Sequence, residues 1–141
     1  MTLKMDAGQL QAFLASDFGQ VADDFVVERA DLDGVRVRLR VAERHLRPGG
    51  TVSGPSMFAL ADVGLYLAIL SRIGPVALAV TTNCAIDFMR KPEAGRDLVG
   101  EARLLKLGKR LAVGDVVLFS EGVAEPVARA GLTYAIPPGR G

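Results

Sequence analysis

The sequence predicts an α+β fold in which an antiparallel sheet packs on one long apolar helix. Three observations predict it. Two short alternating runs come first, then a helix that is apolar nearly all round, then several β-like runs divided by turn residues. The chain has 141 residues, and one domain is expected to span 1–141. Surface scaling gives roughly 7,000 Å² exposed when folded against about 21,600 Å² for the open chain, enough burial for a core without staples.

Residues 6–18 read as a short amphipathic helix, with Leu10, Phe13 and Leu14 at helical spacing. Residues 25–30 form an expected strand, and Asp31-Leu32-Asp33-Gly34 an expected turn. Val35, Val37, Leu39 and Val41 then alternate with Arg36, Arg38 and Arg40, a half-buried strand with a wet arginine face. The loop at residues 47–55 is rich in Gly and Pro, and Pro55 stands where a helix tolerates a missing N–H. Residues 56–71 follow as a helix buried on most sides, stopped by Gly74-Pro75. The sheet covers one side of it, and a second subunit is the expected cover for the others. Residues 76–89, 98–107, 111–120 and 127–136 read as a meander of strands.

Composition narrows the function. Lys+Arg 17 against Asp+Glu 16 gives a net charge of +1, without the basic footprint of a nucleic-acid or membrane-surface binder. Half the residues are apolar and mean hydropathy is +0.28, so a homo-oligomer that buries further surface is expected. One cysteine excludes an internal disulfide, and one histidine argues against a protein-built zinc site. The longest apolar stretch, residues 57–70, has 14 residues and contains Asp62, which reads as too short and too polar to span a bilayer. No secretory leader is visible, and the expected location is the cytoplasm.

Asp62 is the anomaly, a carboxylate inside the most apolar helix. It needs a partner or a polar cavity, because burying an unpaired charge costs several kcal/mol. Such a group suits a general base or nucleophile, and equally an ion pair with an arginine. Ser53-Gly54-Pro55 opens the same helix, where free N–H groups attract negative charge and Gly54 allows close approach of a carbonyl oxygen. Plain capping by Ser53 is the competing reading. Asp62 lies eight residues beyond Gly54, about 12 Å along a helix axis, too far for both to serve one carbonyl within one subunit. If both act on one substrate, they come from two subunits.

Other candidates have plainer readings. His45, beside Arg44 and Arg47, reads as a solvated loop histidine, and Cys84 as a small core residue on an inner strand. Gly108-Lys109-Arg110 is a turn with two cations. Phe58, Leu65, Tyr66 and Phe88 either line an apolar pocket or belong to the core.

Three segments carry a family resemblance covering roughly residues 25–137. Ser53-Gly54-Pro55-Ser56-Met57-Phe58-Ala59-Leu60-Ala61-Asp62 resembles the His-Gly-Gly-x4-Leu-Ala-Asp helix start of the PaaI-type acyl-CoA thioesterases, which have the hotdog fold. Ile86-Asp87-Phe88-Met89-Arg90-Lys91-Pro92-Glu93-Ala94-Gly95 resembles that family's strand ending in Arg-Pro-Ala-x-x-Gly. Residues 98–109, 113–120 and 127–136 resemble its closing meander.

The resemblance implies an antiparallel sheet wrapped around a central helix, an oligomer of dimers or paired dimers, and a site at the dimer interface. It implies Asp62 as catalytic carboxylate, Gly54 as the N–H donor to the thioester carbonyl, and Thr81 as a hydroxyl that helps place water. Arg90, Lys91, Lys109 and Arg110 fall where such proteins meet the nucleotide end of CoA. No metal or redox cofactor is implied. The family's histidine is Ser53 here, its second glycine is Pro55, and its asparagine is Arg47. These replacements imply altered substrate, lower activity, or acyl-CoA binding without hydrolysis, and make Arg47 and Ser53 candidates for reading a polar acyl group. A hydratase would need an Asp/His pair, and no histidine follows Asp62.

Overall fold

The computed structural model describes residues 2–138; Met1 and residues 139–141, the ends of the expected domain, lie outside them. The N-terminal amphipathic run forms α1 (Ala7–Asp17), begun by a capping box in which Asp6 Oδ1 accepts the Gln9 N–H at 2.8 Å and Gln9 Oε1 accepts the Asp6 N–H at 2.9 Å. A one-turn helix, α2 (Gly19–Ala22), leads into the hairpin β1 (Phe25–Asp31) and β2 (Gly34–Leu39). A 3₁₀ turn (Glu43–His45) and a loop then reach the long helix α3 (Gly54–Ile73). Four strands follow: β3 (Val80–Phe88), β4 (Leu98–Leu107), β5 (Leu111–Ser120) and β6 (Ala128–Ala135).

All six strands form one antiparallel sheet in the order β1-β2-β4-β5-β6-β3, wrapped on α3. This is the hotdog architecture. It corrects the expected meander in one respect. Only β4, β5 and β6 run as neighbours, whereas β3 crosses to the far edge and pairs with β6. Cys84 is therefore on an edge strand, half-buried, rather than on an inner one. The physical reason is α3, which carries the chain across the sheet before β3 begins.

The helix meets the sheet at small residues. A Cβ on Gly114 would lie 2.4 Å from Leu65 Cδ1 and 2.6 Å from the Arg103 carbonyl oxygen, so only glycine lets α3 seat on β5. On the other side α1 supplies cover that was expected from a second subunit. Leu10, Phe13 and Leu14 are buried with the helix, and the Lys4 N–H donates to the Ser71 carbonyl at 2.7 Å. Pro55, Phe58 and Ala59 remain exposed at the start of α3. At 20 residues α3 is long and apolar enough to cross a membrane by length and composition, contrary to expectation, yet 67% of its most apolar 18-residue stretch is buried inside the protein. Leu65 is wholly core.

The arginine stripe of β2 is not simply wet. Arg38 bonds Glu28 at 2.6 Å, Glu121 at 2.5 Å and Asp97 at 3.2 Å, while Arg36 bridges Glu28 and Glu101. This network ties β1, β2, β4 and the end of β5 across the outer face, where networked pairs hold better than isolated ones.

His45 also departs from expectation. It is buried, its Nδ1 accepts the Ala42 N–H at 2.9 Å, and its Nε2 faces Asp24 at 3.3 Å. Burial opposes ionisation of Asp24, but Arg44 and His45 together hold its carboxyl below the ordinary value. The 3₁₀ turn folds the ring inward, and the His45 carbonyl accepts the Ser53 N–H at 2.8 Å, so this histidine anchors the start of α3.

A paired substitution tests the helix–sheet contact. Gly114→Ala is expected to destabilise by about 1–3 kcal/mol through overpacking. Gly131→Ala, with nothing within 4 Å of its new Cβ, should leave the urea midpoint within error of wild type.

Candidate functional site

Asp62 sits two turns into α3, on the side that faces the β6–β3 edge. Its Oδ1 accepts two hydroxyl hydrogen bonds, from Thr81 Oγ1 at 2.5 Å and from Tyr134 Oη at 2.7 Å. Those lengths belong to charge-assisted O–H···O⁻ bonds, each worth about 1.5–3 kcal/mol and together able to offset the cost of partial burial. Tyr134 Oη also lies 3.0 Å from the Asp62 carbonyl oxygen. Oδ2 has no protein partner among the described residues, and it is the lone pair left for water. The alternative of an arginine partner is not realised.

A β-bulge makes the arrangement. β3 and β6 pair Thr81 with Tyr134 and Cys84 with Leu132, with the register slipping between Thr81 and Asn83. Without the extra residue Thr81 and Cys84, three apart, would face opposite sides of the strand. With it, Thr81, Cys84 and Ile86 all face α3. Burial first, and then the Asp62 charge, push the Cys84 thiol up from its ordinary value.

Around Asp62 lies a cavity of about 500 Å³ lined by Asp17, Phe18, Gln20, Val63, Tyr66, Leu78 and the Thr81/Tyr134 pair, among others. The Tyr66 ring lies edge-on to Phe18 at 5.8 Å, and its hydroxyl donates to the Ala77 carbonyl at 3.0 Å. Tyr66 thus belongs to the buried core and also lines the pocket.

Gly54 belongs to a second cavity, of about 480 Å³, with Arg47, Val52, Met57, Phe88, Arg90 and Lys91 in its wall. The Ser53 hydroxyl accepts the Ser56 N–H at 3.3 Å, and Pro55 has no N–H to offer. Among the described residues this leaves the Gly54 N–H without a partner at the helix start. Ser53 is a cap, and neither it nor Pro55 lines this cavity. Phe88 packs beside Gly54, 3.5 Å from where a Cβ would stand, while Phe58 is an exposed side chain next to the helix start. Arg47, Arg90 and Lys91 make no side-chain bonds among the described residues. Lys109 and Arg110 are exposed in the β4–β5 turn, at the Val80 end of the sheet and away from Arg90 and Lys91.

One chain therefore brings Asp62 and Thr81 together, with Tyr134 added, and keeps Gly54 apart from them in another cavity. Among the described residues no three His, Cys, Asp or Glu side chains gather where an ion could sit.

The sequence profile described as the thioesterase superfamily matches residues 49–127, the stretch that holds both Gly54 and Asp62. The chain belongs to the thioesterase superfamily. A Silicibacter sp. protein described as a thioesterase is 59% identical, with 98% of this chain and 96% of that one covered at a TM-score of 0.91. Superfamily member 2 from zebrafish is 25% identical at a TM-score of 0.79, covering 97% and 99% of the two chains. The Escherichia coli PaaI protein of the phenylacetic acid degradation operon is 26% identical at 0.77, covering 91% and 90%. A Pseudomonas aeruginosa protein named as an esterase is 37% identical over 84 residues, 60% of this chain and 63% of that protein. An Archaeoglobus fulgidus protein named likewise is 34% identical over 77 residues, 55% of this chain and 48% of its own length. The matched stretch spans less than two thirds of either protein.

Tyr134 is the site residue that sequence reasoning passes over. Its signal was a hydroxyl on the apolar face of β6, in register with Ala130 and Leu132. Burial first, and then the Asp62 charge, push the Tyr134 hydroxyl well above the ordinary tyrosine value; burial and then Asp17 raise Tyr66. Both rings favour the neutral form in the folded protein. Their contribution to stability is full below the unfolded value of 10.0 and is lost as pH rises above it toward the folded values. An ultraviolet titration of the protein's two tyrosines should show little tyrosinate at pH 10.0 until the chain unfolds. Half-ionisation at that pH in folded protein would contradict the assignment.

Proposed function

We propose that the protein is an acyl-CoA thioesterase whose site is completed by two subunits paired along β3. The observation that carries it is the Asp62 carboxylate, held by Thr81 and Tyr134 through one oxygen and open at the other. In this mechanism Asp62 Oδ2 takes a proton from water as the water oxygen attacks the thioester carbon. The carbonyl oxygen becomes an oxyanion held by the Gly54 N–H of the second subunit. The C–S bond then breaks, the acid departs, and the thiolate recovers the proton. Tyr134 and Thr81, both bonded to Oδ1, keep the carboxyl group oriented with Oδ2 toward the water through the cycle.

Pairing along β3 is supported by the edge itself. β3 is exposed, Val80 and Phe88 show 55% and 53% of their surface, and Leu78 and Met89 extend the apolar strip at either end. An antiparallel partner strand sets the Thr81 end of one β3 against the Phe88 end of the other. The Asp62 cavity of one subunit then adjoins the Gly54 cavity of the next. The same operation brings Lys109 and Arg110 of one chain toward Arg47, Arg90 and Lys91 of the other, a basic rim for the phosphates of CoA. The exposed Leu105 and Leu111 lie outside this edge and are available for pairing dimers into a tetramer.

A second reading, acyl-CoA binding without hydrolysis, is favoured by one observation. The Ser53 hydroxyl is engaged as a cap, so the helix start offers only the Gly54 N–H. Thiol release from a panel of acyl-CoAs separates the two. Asp62→Asn should lower kcat by at least about a hundredfold, since losing a base costs about 10²–10⁴, with KM little changed. Tight binding with no turnover by wild type would establish the second reading.

A further inference from the structure

The two cavities differ sharply in charge. The Gly54 cavity carries Arg47, Arg90 and Lys91 and no acid in its wall. The Asp62 cavity carries Asp17 and Asp62 and no cation in its wall. The rest of its wall is mostly apolar or aromatic, with Phe18, Val63, Tyr66 and Leu78, and its uncharged polar side chains are Gln20, Thr81 and the Tyr134 hydroxyl. Its volume of about 500 Å³ falls within the range of cavities that enclose whole small molecules, more than an acetyl group requires.

Asp17 stands out for a second reason. It is the last residue of α1, whose final turn holds no basic side chain. A carboxylate there opposes the helix dipole, so its charge works against the stability of α1 rather than for it. Asp17 is exposed at the rim of the cavity, where its carboxylate accepts a hydrogen bond from the neighbouring Ser16 Oγ at 2.5 Å. Its charge is felt inside, because it adds to the upward push on the Tyr66 hydroxyl. Phe18, the next residue, forms the adjoining wall through its edge-on contact with Tyr66.

Resting on the thioesterase reading, we propose that the corner between α1 and α2 is the acyl-selecting wall of the site. The Asp62 cavity takes an uncharged acyl group, and Asp17 excludes acyl chains that end in a carboxylate. The polyanionic carrier and the neutral acyl group are then sorted by charge, the carrier to the basic cavity of one chain and the acyl group to the acidic, aromatic cavity of the other. Arg47 and Ser53 do not read the acyl tail on this account. Arg47 belongs to the carrier's side, and Ser53 is a cap.

The test compares octanoyl-CoA with suberoyl-CoA, equal in chain length and carrier and different only in the terminal carboxylate. Wild type should favour octanoyl-CoA in kcat/KM by at least about tenfold, as like-charge exclusion predicts. Asp17→Asn should shrink that ratio severalfold, and Asp17→Lys should shrink it further. Equal kcat/KM for the two thioesters in wild type would overturn the proposal, as would a ratio unmoved by both substitutions. Binding of the matching non-hydrolysable thioether analogues provides a readout independent of catalysis. A binding preference for the octanoyl analogue that Asp17→Lys abolishes supports the acyl wall even if no thioester is hydrolysed, an outcome that would count against hydrolysis alone. Equal binding of both analogues to wild type overturns it.

Discussion

A carboxylate two turns into an apolar helix is the constraint on which this structure turns. Asp62 is half-buried on α3, where a carboxylate without partners is costly, and two donors reach it from the sheet, from different strands. Tyr134 comes from β6 by ordinary strand alternation. Thr81 comes from β3 only because the register slips by a residue beside it. The position of β3 at the β6 edge, the bulge and the seating of α3 on Gly114 are therefore one arrangement, seen from the carboxylate outward.

The same arrangement keeps the two halves of the proposed site apart within one chain. The chain holds its carboxylate at one end of β3 and its free helix N–H near the other, in separate cavities. Between them runs an edge strand with apolar side chains in water and backbone groups unpaired. An edge of that kind invites pairing with a second strand. Antiparallel pairing is the operation that would bring opposite ends of β3 together, so in the proposed dimer the feature that favours association also completes the site. The division of charge follows the same line, with unpaired cations beside Gly54 and carboxylates beside Asp62.

Much of this was legible in the residues, and what escaped has physical causes. β4 and β5 fall on residues 98–107 and 111–120 as read, because apolar runs rich in Leu and Val end at clear turn residues, Gly108-Lys109-Arg110 and Glu121-Gly122. Asp62 was legible as an anomaly, since a charge among Leu, Ala and Val needs explaining wherever it falls. Its distance from Gly54 was legible from helix geometry alone. The place of β3 was not, because periodicity reports that a strand exists and not which strand it pairs with. The bulge was hidden too, since Val80-Thr81-Thr82-Asn83 alternates well enough without one. Tyr134 looked like one more residue of a buried face, and its hydroxyl gains meaning only across the β6–α3 contact. His45 looked solvated beside two arginines, but the 3₁₀ turn folds it inward against Asp24.

The two-chain site is tested most directly by mixing inactive variants. Asp62→Asn removes the proposed base. Gly54→Pro removes the N–H at a helix position where proline is tolerated, after a Ser53 already in the extended conformation that precedes proline. Each variant alone should be nearly inactive in thiol release. Unfolded together in equal amounts and refolded, half the dimers should be mixed, each with one intact site of two. About a quarter of wild-type activity should return if each site draws Asp62 from one subunit and Gly54 from the other. No recovery from mixed dimers verified by mass would place both groups in the service of a single chain and contradict the account.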